Sequence, residues 1–110
     1  MEGNSISTVE QKLIEGQVIE AIRTCYDPEI PVNIYDLGLI YSVTVAEDGG
    51  VLVTMTLTSP YCPAAQSLPP EVEAKVKSVP GVTAAKVAIV WDPPWNPSMM
   101  TEAAKLELGF

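Results

Sequence analysis

Cys62 sits in the run Thr58-Ser59-Pro60-Tyr61-Cys62-Pro63, between a threonine-rich stretch and an amphipathic one. A thiol at a strand-to-helix junction lies near free backbone N–H groups and the positive end of a helix dipole. Both favour the thiolate, which is the nucleophilic and metal-binding form. The chain has two cysteines and no histidine, so Cys62 is the strongest soft-metal ligand or nucleophile it could expose. Pro60 and Pro63 stiffen the loop around it, and the hydroxyls of Thr58 and Ser59 offer hydrogen bonds to an anion held there. On these residues alone a presented thiol and a buried free cysteine in a tight turn fit equally well.

Three further clusters carry chemistry. Asp27-Pro28-Glu29 sets two carboxylates around a rigid proline, as for a hard cation or an acid–base pair. The plainer reading, a helix stop with solvated acids, is favoured, because no histidine partners them. Asp36 precedes Gly38 and reads first as a cap on backbone amides, second as a group facing a site. The run Trp91-Asp92-Pro93-Pro94-Trp95-Asn96-Pro97, followed by Met99-Met100, holds two tryptophans that are costly to expose unless they pack or bind. Trp91 reads as a lid on the core. Trp95 reads as the better partner-binding residue, with Met99 and Met100 as soft contacts. Cys25 falls on the apolar side of a helix with Ile14, Val18 and Ile22 and reads as a small core residue. The absence of C-x-x-C, G-x-G-x-x-G and histidine argues against redox, nucleotide-binding and triad chemistry, and a thiol enzyme is not expected.

The elements that must position these residues are legible from spacing. Ser7-x-x-Glu10 is a capping box opening a helix that runs to Thr24 and is stopped by Asp27-Pro28. Leu39–Ala46 and Val51–Thr58 read as strands joined by the turn Glu47-Asp48-Gly49-Gly50. In the second strand Val51, Val53, Met55 and Leu57 share one face. Leu52, Thr54, Thr56 and Thr58 share the other, which meets solvent or a site. A second helix buries Val72, Val76 and Val79, with Pro69-Pro70 setting its first turn or kinking it, and stops at Pro80-Gly81. Thr83–Trp91 is a third strand, and Asn96-Pro97 opens a last helix ending near Gly109. The expected fold is a single α+β domain of order α-β-β-α-β-α. A three-stranded mixed sheet carries its helices on one face.

At 110 residues, 47% hydrophobic and 18% charged, the chain can bury a core without disulfides. A net charge of −8 argues against nucleic acid as a partner. No apolar run has the length of a membrane span and no signal peptide is visible, so a cytoplasmic location is expected.

Taken in order, four pieces resemble the SufT-type iron–sulfur cluster assembly family, whose relatives include the PaaD proteins of phenylacetate degradation. They are the stretch from Asp27-Pro28-Glu29 to Asp36-Leu37-Gly38-Leu39-Ile40-Tyr41, Met55-Thr56-Leu57-Thr58 leading to Cys62-Pro63, Pro80-Gly81-Val82, and Trp91-Asp92-Pro93-Pro94-Trp95. The resemblance divides the chain into an N-terminal arm at 1–8 and an assembly domain at 9–110. It implies an accessory, non-enzymatic role in maturing iron–sulfur proteins and places the family's reactive cysteine on Cys62. Its acidic motif falls on Asp27 and Glu29, and a further aspartate on Asp36. A single thiolate cannot hold a cluster, which usually takes four protein ligands. The implied cluster is therefore transient and shared with a second protomer, a small thiol, or a scaffold or client protein. Asp27, Asp36 and Asp92 would supply harder ligands or orient that partner, and Thr58 and Ser59 would hydrogen-bond a cluster sulfide. Tyr61 departs from the small residue many relatives carry and would narrow access to Cys62. The chain stops at Phe110 without a cysteine-rich tail, which favours SufT over PaaD. The alternatives are an adaptor docking a partner through the Trp91–Trp95 loop, and a PaaD-like accessory protein of a ring-oxygenase pathway.

Overall fold

Ser7 opens the first helix as its spacing requires. Its hydroxyl accepts from the Glu10 N–H, and the Glu10 carboxylate accepts from the Ser7 N–H. This computed structural model describes residues 7–26, 30–58 and 64–109. The candidates Asp27, Glu29, Ser59 and Cys62 lie outside the described residues. The elements are α1 (Thr8–Ile22), β1 (Ile40–Val45), β2 (Gly50–Met55), α2 (Ala64–Lys77), β3 (Ala84–Ile89), a 3-10 turn at Pro97–Met99, and α3 (Glu102–Leu108). Ser7 is thus the N-cap of α1. The helix ends a little before Thr24, and each strand is shorter than the apolar run that predicts it.

The sheet has the order β1-β2-β3 and is mixed, with β1 antiparallel and β3 parallel to β2. Tyr41 is an extra residue in β1, because Ile40 pairs with Met55 while Ser42 pairs with Thr54. Between β1 and β2, Gly49 (φ +89) makes the turn, and a Cβ there would meet the Gly81 carbonyl oxygen at 2.7 Å.

Val51, Val53, Met55 and Leu57 are buried, as their alternation predicts. Ile14, Val18 and Ile22 from α1 and Leu68, Val72, Val76 and Val79 from α2 and its end join them in one core. Helix α1 packs on β1 and α2, and α2 on β3. Pro69 and Pro70 lie inside α2, beyond its first turn. Asn96-Pro97 opens only the 3-10 turn; α3 has its own cap at Thr101, whose hydroxyl accepts from Ala104, and ends on Gly109 in a left-handed conformation. Helix α3 meets the loop 30–38, through the Thr101 N–H donating to the Asp36 carbonyl at 2.9 Å.

Cys25 is fully buried, as expected for a core residue. Burial pushes its thiol pKa up, and the Glu71 carboxylate adds to this while Lys75 opposes it. The folded state then holds the thiol proton more tightly than the unfolded chain does. The stability linked to this group is intact below the unfolded-state pKa and is lost as pH rises through the raised folded value. Alkylation of the native protein at mildly alkaline pH is expected to spare Cys25, which is labelled after denaturation. Peptide mapping by mass spectrometry reads this directly, and equal labelling of Cys25 in the native and denatured states contradicts it.

Candidate functional site

Strands β2 and β3 end, and β1 begins, at one end of the sheet. There the Thr56 N–H donates to the Leu39 carbonyl at 2.8 Å and the Val90 N–H to the Met55 carbonyl at 2.9 Å. The chain leaves β2 at this end through Leu57 and Thr58, on its way to Cys62. Sequence alternation places Thr56 on the face open to solvent or a site. Thr56 is instead fully buried, and its hydroxyl has no hydrogen-bond partner among the described residues. A buried hydroxyl left unpaired costs about 1–3 kcal/mol. Leu52 on the same face is 41% exposed, while Thr54 and Thr58 are half-buried.

Two loops close this end of the molecule. In the first, Asn33 accepts from the Asp36 N–H through its side-chain oxygen, and the Leu37 N–H donates to the Asn33 carbonyl. Asn33 therefore caps this single helical turn, a role that the sequence suggests for Asp36. The Asp36 carboxylate instead accepts from Asn33 Nδ2 at 3.0 Å and faces the Arg23 guanidinium at 3.7 Å. Arg23 also pairs with Glu20 and stacks over the Tyr35 ring, 5.0 Å from its centroid. The ion pairs are solvent-accessible and contribute little to stability. Asn33 and Asp36 line a hollow of about 210 Å³ together with Tyr26 and Glu107. Asn33 is not among the residues that the sequence singles out, although Asn33-x-x-Asp36 has the spacing of an N-cap.

The second loop, 91–101, is braced against the first. Trp95 Nε1 donates to the Leu37 carbonyl at 2.8 Å, and the Tyr41 hydroxyl to the Pro93 carbonyl at 2.7 Å. Gly38 (φ +91) lies against the Met99 backbone. The burial of the two tryptophans is the reverse of what their spacing suggests. Trp95 packs on the core, whereas Trp91 is 46% exposed. Trp95 is held because its indole N–H finds a carbonyl beside an apolar bed. Met100, expected as a soft surface contact, is buried in the core, and Met99 is half-buried beside Tyr41. Asp92 is exposed. Among the described residues no three acidic or thiol groups converge as metal ligands.

This architecture has known counterparts. The chain is 56% identical over 96 residues to the Fe-S protein maturation auxiliary factor of Porphyromonas gingivalis, an alignment covering 87% of this chain and 91% of that one. It is 41% identical over 83 residues to the Fe-S protein maturation auxiliary factor SufT of Staphylococcus aureus, covering 76% and 94%. A crystal structure of a domain of unknown function from Bacillus anthracis superposes with a TM-score of 0.87 at 35% identity, over 94% of this chain and 99% of that one. The profile of the family described as iron-sulfur cluster assembly protein matches residues 15–88. The match spans most of α1, β1, β2 and α2 and nearly all of β3, and the chain belongs to that family.

Proposed function

We propose that this protein is an accessory factor in iron–sulfur protein maturation, handling a cluster as transient cargo through Cys62. The observation that carries this reading is the fate of the chain's two thiols. Cys25 is fully buried in the core, which argues against it as a cargo ligand and turns the reading to Cys62. Family membership supports it, as does the high identity to a maturation auxiliary factor. A cluster usually takes four protein ligands, so Cys62 shares it with a second protomer, a small thiol, or a scaffold or client protein. Such incomplete ligation suits release better than storage. Thr58 and Ser59, close to Cys62 in sequence, offer hydroxyls to a cluster sulfide. Asp27, Glu29, Asp36 and Asp92 orient the partner. The role is that of a carrier in the cytoplasm rather than of an enzyme. No helix among the described residues is long and apolar enough to cross a membrane.

Anaerobic reconstitution with iron and sulfide tests this. Wild type is expected to gain cluster absorption and Cys62→Ala to gain none, with native mass reporting how many chains share the cluster. Equal absorption in the two proteins removes Cys62 as a ligand. In the native host, Cys62→Ala is expected to depress iron–sulfur enzyme activity under iron limitation. Unchanged activity with a folded variant sinks the transfer role. The adaptor reading keeps one specific observation in its favour, the exposure of Trp91.

A further inference from the structure

Among the described residues, strand β1 is an edge strand whose sole partner in the sheet is β2. Ladder bonds alternate along an antiparallel pair. The Ala46 N–H donates to the Gly50 carbonyl, so Thr44 and Ser42 also turn their backbone groups to β2, while Val43 and Val45 turn theirs outward. The Val45 carbonyl is closed off by α1, because Gln11 Nε2 donates to it at 2.9 Å. The Val43 N–H and carbonyl have no such partner among the described residues. An open edge invites another strand, and proteins usually blunt it. Here the Gln11 bond blunts one end and leaves the stretch around Val43 open.

A trench runs beside this open stretch. Its upper part is lined by Glu15, Ile19 and Val43, and its lower part by Pro93 and Met99. The two parts share Tyr35, Ile40 and Tyr41 as walls. Free backbone groups beside recesses that can take side chains suit recognition by strand addition.

We propose that β1 and this trench bind an extended, basic segment of another protein by strand addition at Val43. Charge selects the occupant. Two copies meeting edge to edge would bring together two chains of formal charge −8, each with Glu15 at the seam. A segment carrying lysine or arginine is attracted both to the chain as a whole and to Glu15. Assigning that segment to an iron–sulfur scaffold or client rests on the proposed function. Its binding here does not, and it stands whether or not Cys62 carries cargo.

The test uses the full chain, labelled with nitrogen-15, and a short capped peptide alternating valine and lysine. Titration to millimolar peptide is expected to shift the amide resonances of Tyr41 to Val43 and to slow hydrogen exchange at Val43. The same peptide with methylated backbone nitrogens is expected to bind about tenfold more weakly. A valine–glutamate peptide is expected not to bind. Glu15→Lys is expected to weaken the lysine peptide by about threefold. Shifts confined to Trp91, undiminished binding of the methylated peptide, no binding at all, or sedimentation showing a dimer that pairs through β1 each overturn the proposal.

Discussion

Gly38→Ala is expected to destabilise this domain by about 3 kcal/mol or more, through strain and collision acting together. Gly38 has φ +91, where a residue with a Cβ is strained. Its added Cβ would lie 2.5 Å from the Met99 carbonyl oxygen and 2.8 Å from the Met99 carbonyl carbon. Both are backbone atoms, so no side chain can swing aside and the 97–99 turn has to move. Thermal unfolding is expected to show a midpoint lower by on the order of 10 °C. In a Trp91→Phe background, Trp95 fluorescence should shift to the red as the loop 91–101 lifts. Gly16→Ala is the control. A Cβ at Gly16 meets nothing within 4 Å, and alanine in a helix interior gains about 0.5–1 kcal/mol over glycine. If the two variants unfold at the same temperature, the close approach of Gly38 to Met99 is not what holds the loop.

The second large effect separates the two tryptophans. Trp95→Ala is expected to cost about 2–3 kcal/mol, because it removes packing against the core and leaves the Leu37 carbonyl without its donor. Trp91→Ala is expected to stay within about 0.5 kcal/mol of wild type, as exposed side chains away from special features do. Chemical denaturation of the two variants reads both numbers. Under the adaptor reading, a pull-down of the partner should fail with Trp91→Ala while the protein remains folded. Loss of binding with Trp95→Ala alone would report a collapsed loop rather than a contact.

These contrasts show which parts of the fold local chemistry specifies. The Ser7–Glu10 capping box, the alternation of Val51, Val53 and Met55, the Val72–Val76–Val79 stripe and the Pro80-Gly81 stop each depend on neighbours within a few residues, and each is legible in the residues themselves. The α-β-β-α-β-α order follows from them. Local spacing fails in the loops, where distant partners decide. Nothing near Trp95 in sequence indicates that the Leu37 carbonyl awaits its indole, and nothing near Trp91 indicates that it has no such acceptor. Met100 enters the core because the brace at Trp95 and Gly38 draws its segment inward. Asp36 turns to Arg23, a residue on another element, so a purely local reading favours the capping role that Asn33 performs. Thr56 follows the alternation of its strand in direction but not in exposure, because alternation predicts facing and not what covers a face.

The brace between 35–41 and 91–101 also has a kinetic consequence. Its bonds join residues far apart in the chain: Trp95 to Leu37 and Tyr41 to Pro93. Such contacts close large loops, and the entropy of closure is met only after the sheet and its helices have gathered the ends. The hairpin of β1 and β2 and the packing of α1 on it need no such closure. The brace is therefore expected to form after the rate-limiting step, so that loosening it leaves the folding rate nearly unchanged and raises the unfolding rate. The tail beyond β3, outside the stretch matched by the family profile, then sets how long each molecule stays folded rather than how fast it gets there.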